Sequence, residues 1–70
     1  MSKKGWAPDG VLRLYLHLGE NIRGVRQRRK WTQARLANEA SLSRASVASI
    51  EMGRQQVLLH TVYQLAAALG

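Results

Sequence analysis

Between Thr32 and Gly53 the chain carries two short apolar stripes of helical spacing held three residues apart, and few arrangements satisfy both at once. Thr32 suits an N-cap, and the segment Gln33 to Ala40 then places Leu36, Ala37 and Ala40 inward. Ser41, Leu42 and Ser43 make a turn. Ser43 can cap a second helix, Arg44 to Met52, in which Val47 and Ile50 face the core while Ala45, Ala48, Ser49 and Met52 point roughly the opposite way. Gly53 supplies the expected stop. Small Ala37 sits where the two helices must approach closely. Small polar residues on the outer face of the second helix suit a groove about 12 Å wide, where a bulky face would not seat.

The flanking segments complete a small bundle. Leu18, Ile22 and Val25 recur at one-face spacing and predict a helix from about Leu18 to Arg29. Arg26 falls on the border of that stripe, where an unpaired charge is costly, so it requires an acidic partner. A final helix from about Leu59 to Leu69 is predicted to bury Leu59, Val62, Leu65, Ala66 and Leu69, with Arg54 to Leu58 as its linker. Val11 to Leu18 reads two ways. Leu12, Leu14, Leu16 and Leu18 alternate with Arg13, Tyr15 and His17 at a strand period, while Pro8 and Asp9 suit the start of a helix extended backward. A strand or irregular segment stands slightly ahead. Residues 1–10 hold Gly5, Gly10, Pro8, Lys3 and Lys4 and read as an arm or capping turn, with little order before Pro8. The expected fold class is all-α: four helices around the central pair, with an N-terminal strand or helix extension. Residues 1–17 form an arm or dimerisation segment, and residues 18–70 form the domain.

At 70 residues there is one domain, and a chain this short buries only about 60% of its unfolded surface. Self-association would add stability. Eleven Lys and Arg against four acids give a formal charge of +7, which favours a polyanionic partner. The absence of cysteine excludes disulfides and thiolate metal sites and fits a reducing compartment. No apolar run approaches the roughly 18 residues of a membrane span, and no secretory signal is evident, so the expected location is cytoplasmic without a membrane partner. His17, His60, Asp9, Glu20, Glu39 and Glu51 show neither paired-carboxylate nor metal-ligand spacing. An enzyme is not expected, nor a cofactor or metal.

The stretch from about Leu18 to Gly70 resembles the phage repressor and Cro family of helix-turn-helix domains, of which lambda repressor is a member. The resemblance rests on Arg26, Trp31-Thr32-Gln33, Leu36-Ala37, Leu42-Ser43, Ile50-Glu51-Met52-Gly53 and the closing Leu65 to Gly70. It implies double-stranded DNA as partner, an ion pair between Arg26 and Glu51, phosphate contact at Gln33, and base-edge contact by Arg44, Ala45 and Ser49. Three departures stand out. Ser41 replaces a preferred turn glycine, Lys30 replaces a frequent terminating glycine, and no fifth helix follows Gly70. The first two each risk roughly 1 kcal/mol if the backbone is left-handed. The third leaves apolar surface for a partner chain or for Val11 to Leu18 to cover, and a homodimer is expected.

Residue chemistry divides the labour. Arg44 has a fork able to bridge O6 and N7 of guanine, worth roughly 1 to 3 kcal/mol of discrimination. Ser49 can exchange one hydrogen bond, Ser46 can touch base or phosphate, and Ala45 offers a methyl. Thr32, Gln33, Ser43, Arg54 and Gln55 lie at helix ends or just after Gly53, where they can meet phosphates; for Thr32 and Ser43 capping is the first role. The Arg23 to Lys30 run reads as a solvated face. Trp31 reads as a core anchor, and Trp6, Tyr15 and Tyr63 as interface or packing residues. The expected function is a transcriptional regulator, by analogy a repressor, dimeric on an inverted repeat with half-sites roughly 34 Å apart. The alternative is an antitoxin that binds a protein toxin and represses its own operon. A basic RNA-binding peptide ranks last, lacking exposed aromatic platforms.

Overall fold

The structure, a computed structural model, describes residues 8–54 and 56–70. Four helices account for most of them: α1 (Pro8–Arg28), α2 (Gln33–Ala40), α3 (Arg44–Glu51) and α4 (Leu59–Leu69). No strand occurs among the described residues, so the helix extension holds and the preference for a strand at Val11 to Leu18 is corrected. The reason is backbone satisfaction. A lone strand needs a neighbour to take its N–H and C=O groups, whereas a helix pairs them internally. Proline is tolerated in a first helical turn and leucine is a good helix former, so this stretch continues directly into the helix begun by the core-facing residues. The residues before Pro8, including Trp6, lie outside the described ones.

On α1 the alternating leucines are splayed rather than aligned. Val11, Tyr15 and Leu18 run along the inner side and are half-buried, Ile22 is buried, and Leu12, Leu14 and Leu16 are exposed on the flanks. Two close approaches bring the part of α1 before Ile22 against the end of α3. A Cβ at Gly19 would collide with the Ile50 carbonyl oxygen and lie 2.6 Å from that of Glu51, so only glycine allows the approach. One turn earlier, Leu16 lies on Gly53, whose φ is +69°.

Three helix ends close in the same way. Lys30 (φ 61°), Ser41 (φ 60°) and Gly53 (φ 69°) are left-handed. After each, the next residue donates its N–H five residues back: Trp31 to Arg26 O at 3.1 Å, Leu42 to Ala37 O at 2.8 Å, and Arg54 to Ser49 O at 3.0 Å. These are Schellman closures, which satisfy carbonyls the helices leave open. The missing glycines at positions 30 and 41 therefore do not change the turn; they place side chains in a conformation that costs roughly 1 to 2 kcal/mol.

The core lies where α2 meets the other helices. Leu36 and Val47 are fully buried, Ile50 and Leu65 nearly so, and Ile22, Ala37, Ala40 and Leu69 complete the cluster. On α4 the predicted inner face needs correction. Leu65 and Leu69 are buried and Val62 half-buried, but Leu59 is 85% exposed and Ala66 is exposed. Leu59 and Ala66 are seven residues apart on one flank, turned about 80 to 100° from the middle of the Leu65–Leu69 face, beyond the reach of the other helices. Gln64 fastens the same helix by donating from Nε2 to the Ala40 carbonyl at 3.0 Å.

Candidate nucleic-acid interface

The outer side of α3 is built from its capped start. Ser43 is extended (φ −78°, ψ 153°), accepts the Ser46 N–H at 3.0 Å and donates its hydroxyl to Ser46 Oγ at 2.9 Å. The cap sets the entry of α3 and commits one lone pair of Ser46. Arg44 and Ala45 follow, both exposed, and Ser49 is half-buried one turn beyond Ala45. With Val47 and Ile50 fixed inward, Ala45 and Ser49 form the outer line, and Arg44 and Ser46 stand on opposite flanks. Arg54 is exposed just past Gly53. Gln55 lies outside the described residues.

At the start of α2, Thr32 is extended (φ −81°, ψ 164°) and its hydroxyl accepts the Arg35 N–H at 2.9 Å. The next side chain is engaged inward. Gln33 Nε2 donates to Glu51 Oε1 at 3.1 Å, a bond that sequence reasoning missed. The available signal was acceptor arithmetic, since a buried carboxylate has more lone pairs than one guanidinium fills. Gln33 keeps a second amide N–H and its backbone N–H, which is among the donors that the first turn of α2 leaves without an intrahelical partner.

Glu51 is the hub. Arg26 donates from Nε to Glu51 Oε2 at 2.6 Å and from Nη2 to Oε1 at 3.0 Å, a bidentate pair, while its Nη1 donates to the Trp31 carbonyl at 2.7 Å. The side chains are 12% and 2% exposed, so the border charge of α1 is paired away from water. The hydrogen bond to Glu51 raises the Arg26 pKa above its ordinary value, against desolvation and with a further coulombic contribution from Glu51. One carboxylate thus ties α1, the start of α2 and the end of α3 together. Arg23 and Gln27 join Arg26, Gln33, Glu51 and Met52 around a polar hollow of about 240 Å³ at this junction.

The charge left over is predominantly positive, with Glu20 exposed and without an ion pair among the described residues. Glu51 is neutralised by Arg26, and Glu39 pairs with Arg35 at 3.1 Å. Arg13, Arg23, Arg28, Arg29, Lys30, Arg44 and Arg54 are exposed. Trp31 is half-buried against the core, with the Arg35 and Arg29 guanidinium groups 4.5 Å and 5.4 Å from its ring centre. No group of three His, Cys, Asp or Glu side chains converges for a metal among the described residues. No helix there is long and apolar enough to cross a membrane.

The profile of the helix-turn-helix family matches residues 22–70, which hold α2, the turn, α3 and α4. The chain belongs to the helix-turn-helix family. It is 43% identical over 53 residues to the immunity repressor protein of Bacillus phage phi105. That match covers 76% of this chain and 37% of the phage protein, so the chain spans little more than a third of that relative's length. The domain is of the phage repressor and Cro type, a DNA-binding class rather than an enzyme class. Within this helix-turn-helix domain the family match starts at Ile22, leaving the first two-thirds of α1, residues 8–21, outside it.

Proposed function

We propose that this helix-turn-helix domain reads an operator for a transcriptional repressor, as a homodimer on an inverted repeat. The observation that carries the reading is the outer side of α3: small residues Ala45 and Ser49 with exposed Arg44 at the first turn, able to enter a major groove side chain first. Arg44, Ala45, Ser46 and Ser49 meet base edges. Thr32, Gln33, Ser43, Arg54 and Gln55 hold phosphates, with Gln33 offering its backbone N–H and the second N–H of an amide whose first serves Glu51. The excess of exposed cations supports the same reading.

The test is selection of bound duplexes from a random pool at about 0.15 M salt, where attraction between exposed charges is screened beyond about 8 Å. The expected result is enrichment of an inverted repeat with half-sites roughly 34 Å apart. Arg44→Ala should lose preference at one position, whereas Arg54→Ala should weaken all sequences alike and reduce the salt slope by about 1. A pool that emerges unenriched overturns the proposal.

A further inference from the structure

The first half of α1 carries more apolar surface than the fold uses. Val11, Tyr15 and Leu18 follow its inner side. Leu12 and Leu16, one turn apart on one flank, are 59% and 45% exposed, and Leu14 on the other flank is 61% exposed. Because Leu16 rests on Gly53, the Leu12–Leu16 flank lies at the C-terminal end of α3. Arg13 precedes Leu16 by three residues and Glu20 follows it by four. Both are exposed, and neither has an ion pair among the described residues.

This order of charges is self-complementary in one direction only. A copy laid antiparallel across a two-fold axis at Leu16 sets Arg13 opposite Glu20 of the partner subunit, in register to within one residue's rise of about 1.5 Å, and symmetry repeats the pair. Parallel pairing would carry Arg13 and Glu20 of the partner subunit to the far side of the seam, leaving both charges without a facing partner. We infer that the Leu12–Leu16 flank of α1 is the surface on which a second copy of this chain docks, antiparallel, with Arg13 and Glu20 setting the direction. The inference rests on the dimeric reading above and names its contact. α4 also exposes an apolar flank, Leu59 at 85% and Tyr63 at 73%, but carries no Lys, Arg, Asp or Glu, so nothing on it orders a second copy.

The experiment is sedimentation equilibrium of the full chain, with circular dichroism of each variant. The wild-type chain forms a dimer, and Leu12→Glu weakens association by roughly 30-fold or more with its melting unchanged. Leu14→Glu, on the opposite flank, associates like wild type. Arg13→Glu and Glu20→Arg each weaken the dimer, and the double swap restores it, a readout that stands even if Leu12→Glu fails to fold. A Leu12→Glu chain that folds and dimerises normally overturns the inference while the dimeric reading survives, as does loss of the dimer on Leu59→Glu instead. A wild-type chain that stays monomeric, free and on its selected DNA, overturns both.

Discussion

The α2–turn–α3 unit, rich in alanine and serine, and the first half of α1, rich in leucine with neither alanine nor serine, are both short helical stretches, yet they are held by different means. In the unit both helices have a hydroxyl cap at the start and a Schellman closure at the end, and their inward apolar residues are at most 4% exposed. Among the described side chains, α1 buries no large one before Ile22. Its first half is helical because it continues a helix anchored further on and because Gly19 lets it lie against the end of α3. One region is specified by its own ends and core, the other by what it is attached to.

The strongest way to break that comparison is to cut the tie at the last turn of α1, through which its first half is attached to the unit. Arg26→Ala leaves Glu51 buried at 2% exposure with Gln33 as its remaining side-chain donor, and should cost about 3 to 5 kcal/mol, read from thermal or denaturant melting. Unchanged melting would remove the Arg26–Glu51 pair as the tie. Gly19→Ala comes next. Its methyl meets the carbonyls of Ile50 and Glu51 rather than a yielding side chain, and the expected loss is about 1 to 3 kcal/mol, with hydrogen exchange rising first in the N-terminal half of α1. Exchange spread evenly over all helices would refute a local role. Ser41→Gly is the smallest and has the opposite sign: relieving the left-handed serine at φ 60° should stabilise the domain by about 1 kcal/mol. A destabilised variant would mean that the Ser41 side chain does something the turn geometry does not reveal.

Legibility followed the range of the interactions. Thr32 and Ser43 cap, Leu36, Ala37, Ala40, Val47 and Ile50 face inward, and each of these follows from residues within a turn or two. Arg26 announced its need for an acid by lying on an apolar border, although only the family resemblance pointed to Glu51. Where the reading missed, the deciding contact was remote. Leu12 to Leu18 has the same period-two pattern on a strand as on a helix whose flanks stay exposed, so periodicity alone was silent. Leu59 and Ala66 fit the edge of a helical stripe, and only the width of the groove offered by the other helices left them outside. Gln33 gave no sign of its bond to Glu51, 18 positions away, which only the fold brings within reach.

The residues alone determined four helices' worth of periodicity less the first half of α1, the three-residue turn, both hydroxyl caps and a strongly basic surface, because capping and amphipathicity are settled between near neighbours. The tertiary structure decided that α1 runs unbroken from Pro8, that glycine is required at position 19, and that one carboxylate serves both Arg26 and Gln33. Those outcomes depend on how closely two helix axes approach and which buried acceptors remain unfilled, and neither quantity is written in any local stretch of the chain.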